Sequence, residues 1–204
     1  MIDVIMKCYK QDSDTLLAIN KLIENTKMDF NLIFVKGERS ASENANIALE
    51  RCKSEFIASI DDDSMVPADW LTLMVATMKG HPDIGAVSAR ITGPEGQAQN
   101  LSSGITDVRE VPMLGGPCYL VRKSVLDMGV KFSEDYRGSQ YEDTDFFQQI
   151  KHTGYKLFVD GRVHVKHLLK LRASNPHLAH NKEVYERRCK DMNVDPYGFI
   201  HWRP

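Results

Sequence analysis

The sequence predicts an α/β domain with a mostly parallel central sheet flanked by helices. Three observations carry this expectation. Short apolar runs alternate with helix-period segments in the order β-α-β-α-β over the first 60 residues, the pattern of a parallel, doubly wound sheet. The 204 residues, 42% hydrophobic and 26% charged, have the composition of an ordinary globular chain long enough to bury a sizeable core in one domain. No apolar run approaches the ~20 residues that span a bilayer.

In order along the chain, Ile2-Asp3-Val4-Ile5-Met6-Lys7-Cys8-Tyr9 is the first strand. The polar loop Lys10-Gln11-Asp12-Ser13-Asp14 supplies capping residues to a helix over residues 15–27, with Leu16, Ile19, Leu22 and Ile23 as its expected packed face. Asn31-Leu32-Ile33-Phe34-Val35 is a second, buried strand, and Lys36-Gly37-Glu38-Arg39 turns out of it. The next helix covers residues 40–52, packing through Ala41, Ala45, Ala48, Leu49 and Cys52. Phe56-Ile57-Ala58-Ser59-Ile60 is a third strand, stopped by Asp61-Asp62-Asp63 because adjacent carboxylates repel and are poor strand formers. Pro67 opens a helix reaching about Lys79, and a fourth strand covers residues 84–91. Residues 92–104 are rich in turn formers, with a hairpin strand expected at residues 105–111. Gly115-Gly116 leads into a strand through Val121, and a short helix over residues 123–128 is stopped by Gly129. Tyr141-Glu142-Asp143-Thr144-Asp145-Phe146-Phe147 opens a helix reaching about His152. Two strand-like pieces, residues 156–159 and 162–167, complete the core. A surface helix over residues 177–190 and an arm over residues 195–204 with exposed aromatics follow.

The net charge of −2 hides an asymmetry: from residue 151 onward eleven Lys/Arg stand against five Asp/Glu. Such a basic segment suits a phosphate-bearing or nucleic-acid partner, or is simply a solvated helix face. Cys8, Cys52, Cys118 and Cys189 lie far apart without a CxxC pair, so buried free thiols are expected and a zinc site is not. The chain enters strand sequence directly after Met1, with no basic n-region or cleavage site; the expected location is therefore the cytoplasm.

The chemistry concentrates at three places. Side chains alternate along a strand, so Asp61 and Asp63 share a direction and Asp62 faces away. Two carboxylates at the carboxyl end of a buried strand suit a hard divalent cation and a nucleotide phosphate, or else form a solvated acidic turn. Gly115-Gly116 permits close backbone approach to a ligand, or forms a plain turn. The acidic run Glu142-Asp143-Thr144-Asp145 begins a helix, where the macrodipole favours negative charge whatever its function.

Taken in order, Ile60-Asp61-Asp62-Asp63, Gly115-Gly116, Tyr141-Glu142-Asp143-Thr144-Asp145-Phe146, Gly154-Tyr155-Lys156 and Val163-His164-Val165-Lys166-His167 resemble the type-A-fold (GT-A) glycosyltransferases, and within them family 2. The small-residue helix Ser40-Ala41-Ser42-Glu43-Asn44-Ala45-Asn46-Ile47-Ala48 is similar to the one that precedes that family's metal motif. The resemblance covers roughly residues 2–168. It implies one domain over residues 1–204, with a nucleotide-sugar-binding half at about 1–95, an acceptor and catalytic half at 96–170, and a basic C-terminal helix and arm at 171–204.

The implied activity is transfer of a sugar from a nucleoside-diphosphate sugar, UDP being the expected nucleotide, to a hydroxyl acceptor. Asp61 and Asp63 match the DxD motif and His167 the late histidine of the metal shell, for Mn2+ or Mg2+. Strand parity places His167 with Val163 and Val165 and turns His164 and Lys166 the other way, so one histidine ligand is expected. Asp143 matches the general base of inverting members, with Glu142 orienting it or holding an acceptor hydroxyl and Asp145 fixing the helix start. Tyr9, Lys10, Lys36, Arg39, Asn44 (or Asn46), Asp61, Gly115 and Gly116 would contact the nucleotide-sugar. Two positions depart from the family pattern: Lys36, not aspartate, follows Val35, and Glu43, not arginine, precedes Asn44.

Three alternatives stand beside this reading. A retaining enzyme of the same fold would use Asp143 to bind sugar hydroxyls. With Lys182, Arg187, Arg188 and Lys190 on a basic helix and Trp202-Arg203 beyond it, hydroxylated DNA bases are one acceptor to consider. A nucleotidyltransferase would share the sheet, acidic pair and magnesium, but the loop after the first strand has no glycine to cradle a triphosphate. A non-catalytic sugar- or nucleic-acid-binding module would have no evident need of Asp61, Asp63, Asp143 and His167 together.

Overall fold

Period-2 alternation along the strands sorts the buried side chains into two apolar layers, one on each face of a single sheet. The computed structural model describes residues 1–8, 11–93, 98–99, 102, 104–168 and 176–202. Its elements are β1 (Ile2–Cys8), α1 (Ser13–Asn25), β2 (Phe30–Lys36), α2 (Ala41–Leu49), β3 (Phe56–Asp61), β4 (Ser64–Met65), α3 (Trp70–Gly80) and β5 (Ile84–Thr92). They continue with β6 (Ala98–Gln99), β7 (Val108–Glu110), β8 (Cys118–Arg122), α4 (Lys123–Asp127), α5 (Glu142–His152), β9 (Lys156–His167) and α6 (Leu178–Asp191), then a 3-10 turn at Gly198–His201.

The sheet order is β2-β1-β3-β8-β5-β9-β4, with β6 paired to β5 and β7 to β9. β2, β1, β3, β5 and β9 all run the same way, and β8 is antiparallel to both its neighbours, β3 and β5. The expected mostly parallel α/β architecture is therefore present, with one reversed strand at its centre. Val4, Met6, Ala58, Ile60, Cys118 and Leu120 pack with α1 and α3 on one face. Ile5, Ile57, Tyr119 and Val121 pack with α2, α4 and α5 on the other.

Several local expectations are corrected. In α1 the buried residues are Thr15, Ala18 and Leu22, while Leu16 and Ile23 are 52% and 58% exposed. A tertiary hydrogen bond from Thr15 to Asp62 accompanies this rotation, which turns small Ala18 toward the sheet. β2 is an edge strand and only half-buried. Pro67 lies outside α3, which begins at the fully buried Trp70; its indole N–H donates to Thr26 Oγ1 at 2.9 Å.

The two strand pieces expected at residues 156–167 are one strand, β9, whose register against β5 shifts between Asp160 and His164. The shift swaps faces: Leu157 and Val159 pack in one layer, Val163 and Val165 in the other. A buried carboxylate holds it, because Asp160 accepts from Arg162 Nε at 2.8 Å, Arg162 Nη2 at 2.7 Å and Thr77 Oγ1 at 2.7 Å. Of the aromatics expected to be exposed in the arm, Phe199 and Trp202 pack against the second layer and Tyr197 against α6. Much of the turn-rich stretch at 92–104 lies outside the described residues. All four cysteines are buried, and none forms a disulfide.

Candidate active site

The carboxyl ends of the parallel strands deliver the site. Lys7 on β1 stands in register with Asp61 at the end of β3. The chain then turns through Asp62 and Asp63 into β4, whose pairing of Ser64 with His167 brings the end of β9 alongside. The Leu168 N–H also donates to Asp63 O at 2.9 Å. As a result His167 Nε2 lies 2.9 Å from Asp63 Oδ1 and 4.0 Å from Asp61 Oδ2. One ligand atom from each of Asp61, Asp63 and His167 lies within 4.8 Å of the others. Two carboxylates and an imidazole form a donor set that fits a small divalent cation, and the imidazole favours Mn2+ over Mg2+.

His164 points away, as strand parity requires, and its Nε2 lies 2.8 Å from Thr92 Oγ1. Asp62 also faces away but is not idle. It is buried, and its Oδ2 accepts from Thr15 Oγ1 at 3.1 Å, tying the acidic turn to the first turn of α1.

The loop before β8 closes over this turn. Pro117 O accepts from Asp61 N at 2.9 Å and from Ser64 Oγ at 3.2 Å. Gly116 is buried, and a Cβ added there would overlap the Asp143 carboxylate. The close approach that Gly116 permits in this structure is thus to Asp143 on the first turn of α5. Gly115, beside it, is half-buried.

Glu142 and Asp143 therefore face the acidic turn from across the sheet ends. Glu142 is 5% exposed, and burial, then the neighbouring Asp143, push its carboxyl up to about 8. Among the described residues, Glu142 Oε2 and Asp143 Oδ1 are buried with no hydrogen-bond partner. Such atoms are rare in folded proteins and point to a missing ligand. Burial, with Asp143 as a further cause, also raises the Asp61 carboxyl above its ordinary range.

Lys7 answers this negative charge and was not singled out from the sequence. Its Nζ is 3.7 Å from Asp61 Oδ1 and 5.6 Å from the Phe132 ring centre. Burial opposes its charge, but Asp61, Asp143, Tyr119 and Glu142 hold the ammonium well above its ordinary pKa. The signal was available: a lysine inside the apolar run Val4-Ile5-Met6-Lys7-Cys8 is rarely buried unless paired.

At the turn after β2, Asn44 Nδ2 donates to Gly37 O at 3.0 Å, while its buried Oδ1 has no partner among the described residues. A Cβ at Gly37 would lie 2.6 Å from Arg39 Nη1 and 3.5 Å from Asn44 Oδ1, so these two side chains converge on that turn. Lys36 and Arg39 are exposed. Asn44 and Asn46 differ in their contacts: Asn46 Nδ2 donates to Phe132 O and Glu134 Oε1, each at 3.0 Å. Glu43 caps its own helix, accepting from Ser40 N and Ser40 Oγ at 2.8 Å. Tyr9 and Lys10 lie outside the described residues.

The first turn of α5 is reached through two consecutive left-handed residues that are not glycine, Gln140 (φ 82°) and Tyr141 (φ 74°). Each costs about 1 kcal/mol or more, so the surroundings must hold them. α6 lies against this segment. Asp145 accepts from Arg188 Nε at 2.9 Å, fixing the start of α5 from a different helix. Arg187 pairs with Asp135 at 2.8 Å and Lys182 with Glu186 at 3.8 Å, so these three basic residues of α6 are engaged by carboxylates.

The strand ends gather an Asp-Asp-His group opposite a buried Glu-Asp pair, and the chain has the GT-A type of α/β fold shared by the solved structures on which it superposes. The family model "Glycosyl transferase family 2" matches residues 11–111, and the chain resembles that family. Residues 1–349 of S. aureus TarS superpose with a TM-score of 0.66 at 15% identity, covering 80% of this chain and 59% of that one. The same segment of S. aureus TarS in complex with UDP-GlcNAc gives 0.73 at 16%, covering 95% and 67%. GalNAc-T7 with UDP, GalNAc and Mn2+ gives 0.73 at 11%, covering 93% and 48%. The chain thus spans between about half and two thirds of the length of these structures. No curated protein sequence matches it. Among the described residues, no helix is long and apolar enough to cross a membrane.

Proposed function

We propose that the protein is a metal-dependent glycosyltransferase that moves a sugar from a nucleoside diphosphate, UDP foremost, to a hydroxyl acceptor with inversion. The observation that carries this reading is the convergence of two acidic groups. Asp61, Asp63 and His167 form a cation-binding set, and across Gly116 from it stand Glu142 and Asp143 with buried oxygens lacking partners. The structures with UDP-GlcNAc and with UDP, GalNAc and Mn2+ support the donor class and the ion.

Asp61, Asp63 and His167 would hold the cation; when bound, it supplies positive charge that stabilises the departing nucleoside diphosphate. Lys7 fixes Asp61 from behind. Asn44 and Arg39 converge on the Gly37 turn, and with Lys36, Tyr9, Lys10 and Gly115 they are the residues that would contact the nucleotide-sugar. Asp143 takes the acceptor's hydroxyl proton as that oxygen bonds to the sugar's anomeric carbon and the bond to the diphosphate breaks. With its carboxyl near 8, Glu142 is largely protonated at neutral pH and donates a hydrogen bond to the acceptor rather than competing for its proton. In this division, residues 1–95 bind the donor and residues 96–170 carry the base. Four buried cysteines, none in a disulfide, fit a reducing compartment such as the cytoplasm.

The test is nucleotide release from a panel of UDP-, GDP- and dTDP-sugars with Mn2+, Mg2+ or EDTA. Release from a UDP-sugar that vanishes with EDTA and in Asp63→Ala is expected. Absence of metal-dependent binding or turnover with every donor would overturn the reading. The anomeric configuration of the product then reports stereochemistry. Asp143→Asn should lose about 10²–10⁴-fold in transfer rate while retaining donor binding; full activity in that variant would remove Asp143 as the base.

A further inference from the structure

We infer that Asn181 on α6 is a positioning residue for the Glu142–Asp143 pair, acting through the left-handed turn that precedes it; the inference rests on the catalytic reading given for that pair. Asn181 is fully buried. Its Oδ1 accepts from Arg137 N at 3.0 Å, and its Nδ2 donates to Arg137 O at 2.9 Å, Ser139 O at 3.0 Å and Gln140 O at 3.1 Å. One carboxamide thus uses both ends on a single segment, and that segment contains Gln140, the first left-handed residue. A side chain serving mainly to pack α6 would not need to contact three residues of another loop, Arg137, Ser139 and Gln140. One of these hydrogen bonds falls on Gln140 itself, where the backbone is held in a conformation that a non-glycine residue disfavours, and the others hold the residues leading into it.

The turn is gripped from a second direction. Gly138 O accepts from Ala41 N at 2.7 Å, at the first residue of α2, the helix that carries Asn44. Tyr141, the second left-handed residue, packs its ring against Tyr185 of α6, with centroids 5.3 Å apart and the planes tilted by 32°. Immediately after it, Glu142 and Asp143 begin α5, with Asp143 seated against Gly116. A change in φ at Gln140 or Tyr141 rotates the first turn of α5 and swings both carboxyls off the acidic turn. Losing such alignment costs rate more than affinity, because Asp61, Asp63, His167 and Asn44, which would bind the donor and its cation, lie neither on this turn nor on α5.

The test uses the full chain with Asn181→Ala, Asn181→Asp, and Asn181→Ala combined with Gln140→Gly. Both single variants should lose about 10- to 100-fold in kcat while KM for the donor and the affinity for UDP with Mn2+ stay within about twofold. Gln140→Gly should restore part of the lost kcat, since glycine adopts positive φ without a clamp. Amide hydrogen exchange supplies a readout independent of turnover: residues 138–145 should exchange faster in Asn181→Asp, with β1 unchanged. Parental kcat in a folded single variant, equal losses in kcat and donor affinity, no rescue by Gln140→Gly, or faster exchange throughout the chain would each overturn the inference. Failure of the glycosyltransferase reading would show instead as a parent enzyme without turnover, and the exchange measurement would still decide the role of Asn181.

Discussion

At the scale of single residues, charge burial separates groups that the sequence lists side by side. Glu142 is pushed to about 8 from an ordinary 4.5, so between these values the folded chain keeps a proton that the unfolded chain releases. Stability contributed by this group therefore falls as pH rises from about 4.5 to about 8 and is flat outside that window. Glu142→Gln removes the titration. Its Tm should gain on the parent's from pH 5 to pH 8 in EDTA, by about 2–4 °C for each kcal/mol relieved in a chain of this size. A Tm difference that is the same at both ends of the range would show that Glu142 bears no such strain.

Asp61, Asp63 and His167 were legible because strand parity fixes which side chains share a face and because their order along the chain matches a known pattern. Lys7, Asn181 and Arg188 were not, since each acts on a partner from a different element, at Asp61, Arg137 to Gln140, and Asp145. The exposure of Leu16 and Ile23 has the same origin: one hydrogen bond, from Thr15 to Asp62, joins residues 47 apart in sequence.

At the scale of elements, the informative feature is the interruption of β9. Without a register shift, residues 157, 159, 163, 165 and 167 would share one face by parity. The shift at Asp160 to His164 moves the second half across the sheet, and His167 with it. Asp160 is fully buried and accepts from both Arg162 and Thr77. Asp160→Ala should cost about 2 kcal/mol, or roughly 4–8 °C in Tm, by leaving the Thr77 hydroxyl without its acceptor and Arg162 with Thr77 Oγ1 in place of the carboxylate. It should also weaken Mn2+ binding measured by electron paramagnetic resonance, although Asp160 touches no proposed ligand. Unchanged Mn2+ affinity in the folded variant would separate the shift from the site. The sequence shows the gap here, at Asp160-Gly161, but not that one strand bridges it, because the bridge is made by tertiary hydrogen bonds.

At the scale of the molecule, the proposed cation set is split between distant parts of the chain: Asp61 and Asp63 come from β3 and the turn after it, His167 from the end of β9. Any ligand that joins them stabilises the folded state as a whole. Saturation at 100 times Kd is worth about 2.7 kcal/mol, so Mn2+ with UDP should raise Tm by roughly 5–10 °C. Asp63→Ala should abolish that increment, and a shift that persists in the variant would place the cation elsewhere.

The reversed strand β8 has a consequence for how the chain comes together in time. β1, β2 and β3 are all present once residue 61 has been made, and until β8 pairs with it β3 has an open edge of residues that are buried and apolar in the finished sheet. That edge is covered only when β8 arrives from residues 118–122, and β5 finds its place only by pairing on β8's far side. The emerging chain therefore carries a sticky strand edge while some 55 further residues are made. During this interval the edge is open to pairing with another copy, and the three aspartates that end β3 act as gatekeepers against it. The same carboxylates that gather charge in the finished site thus guard the half-made sheet against self-association.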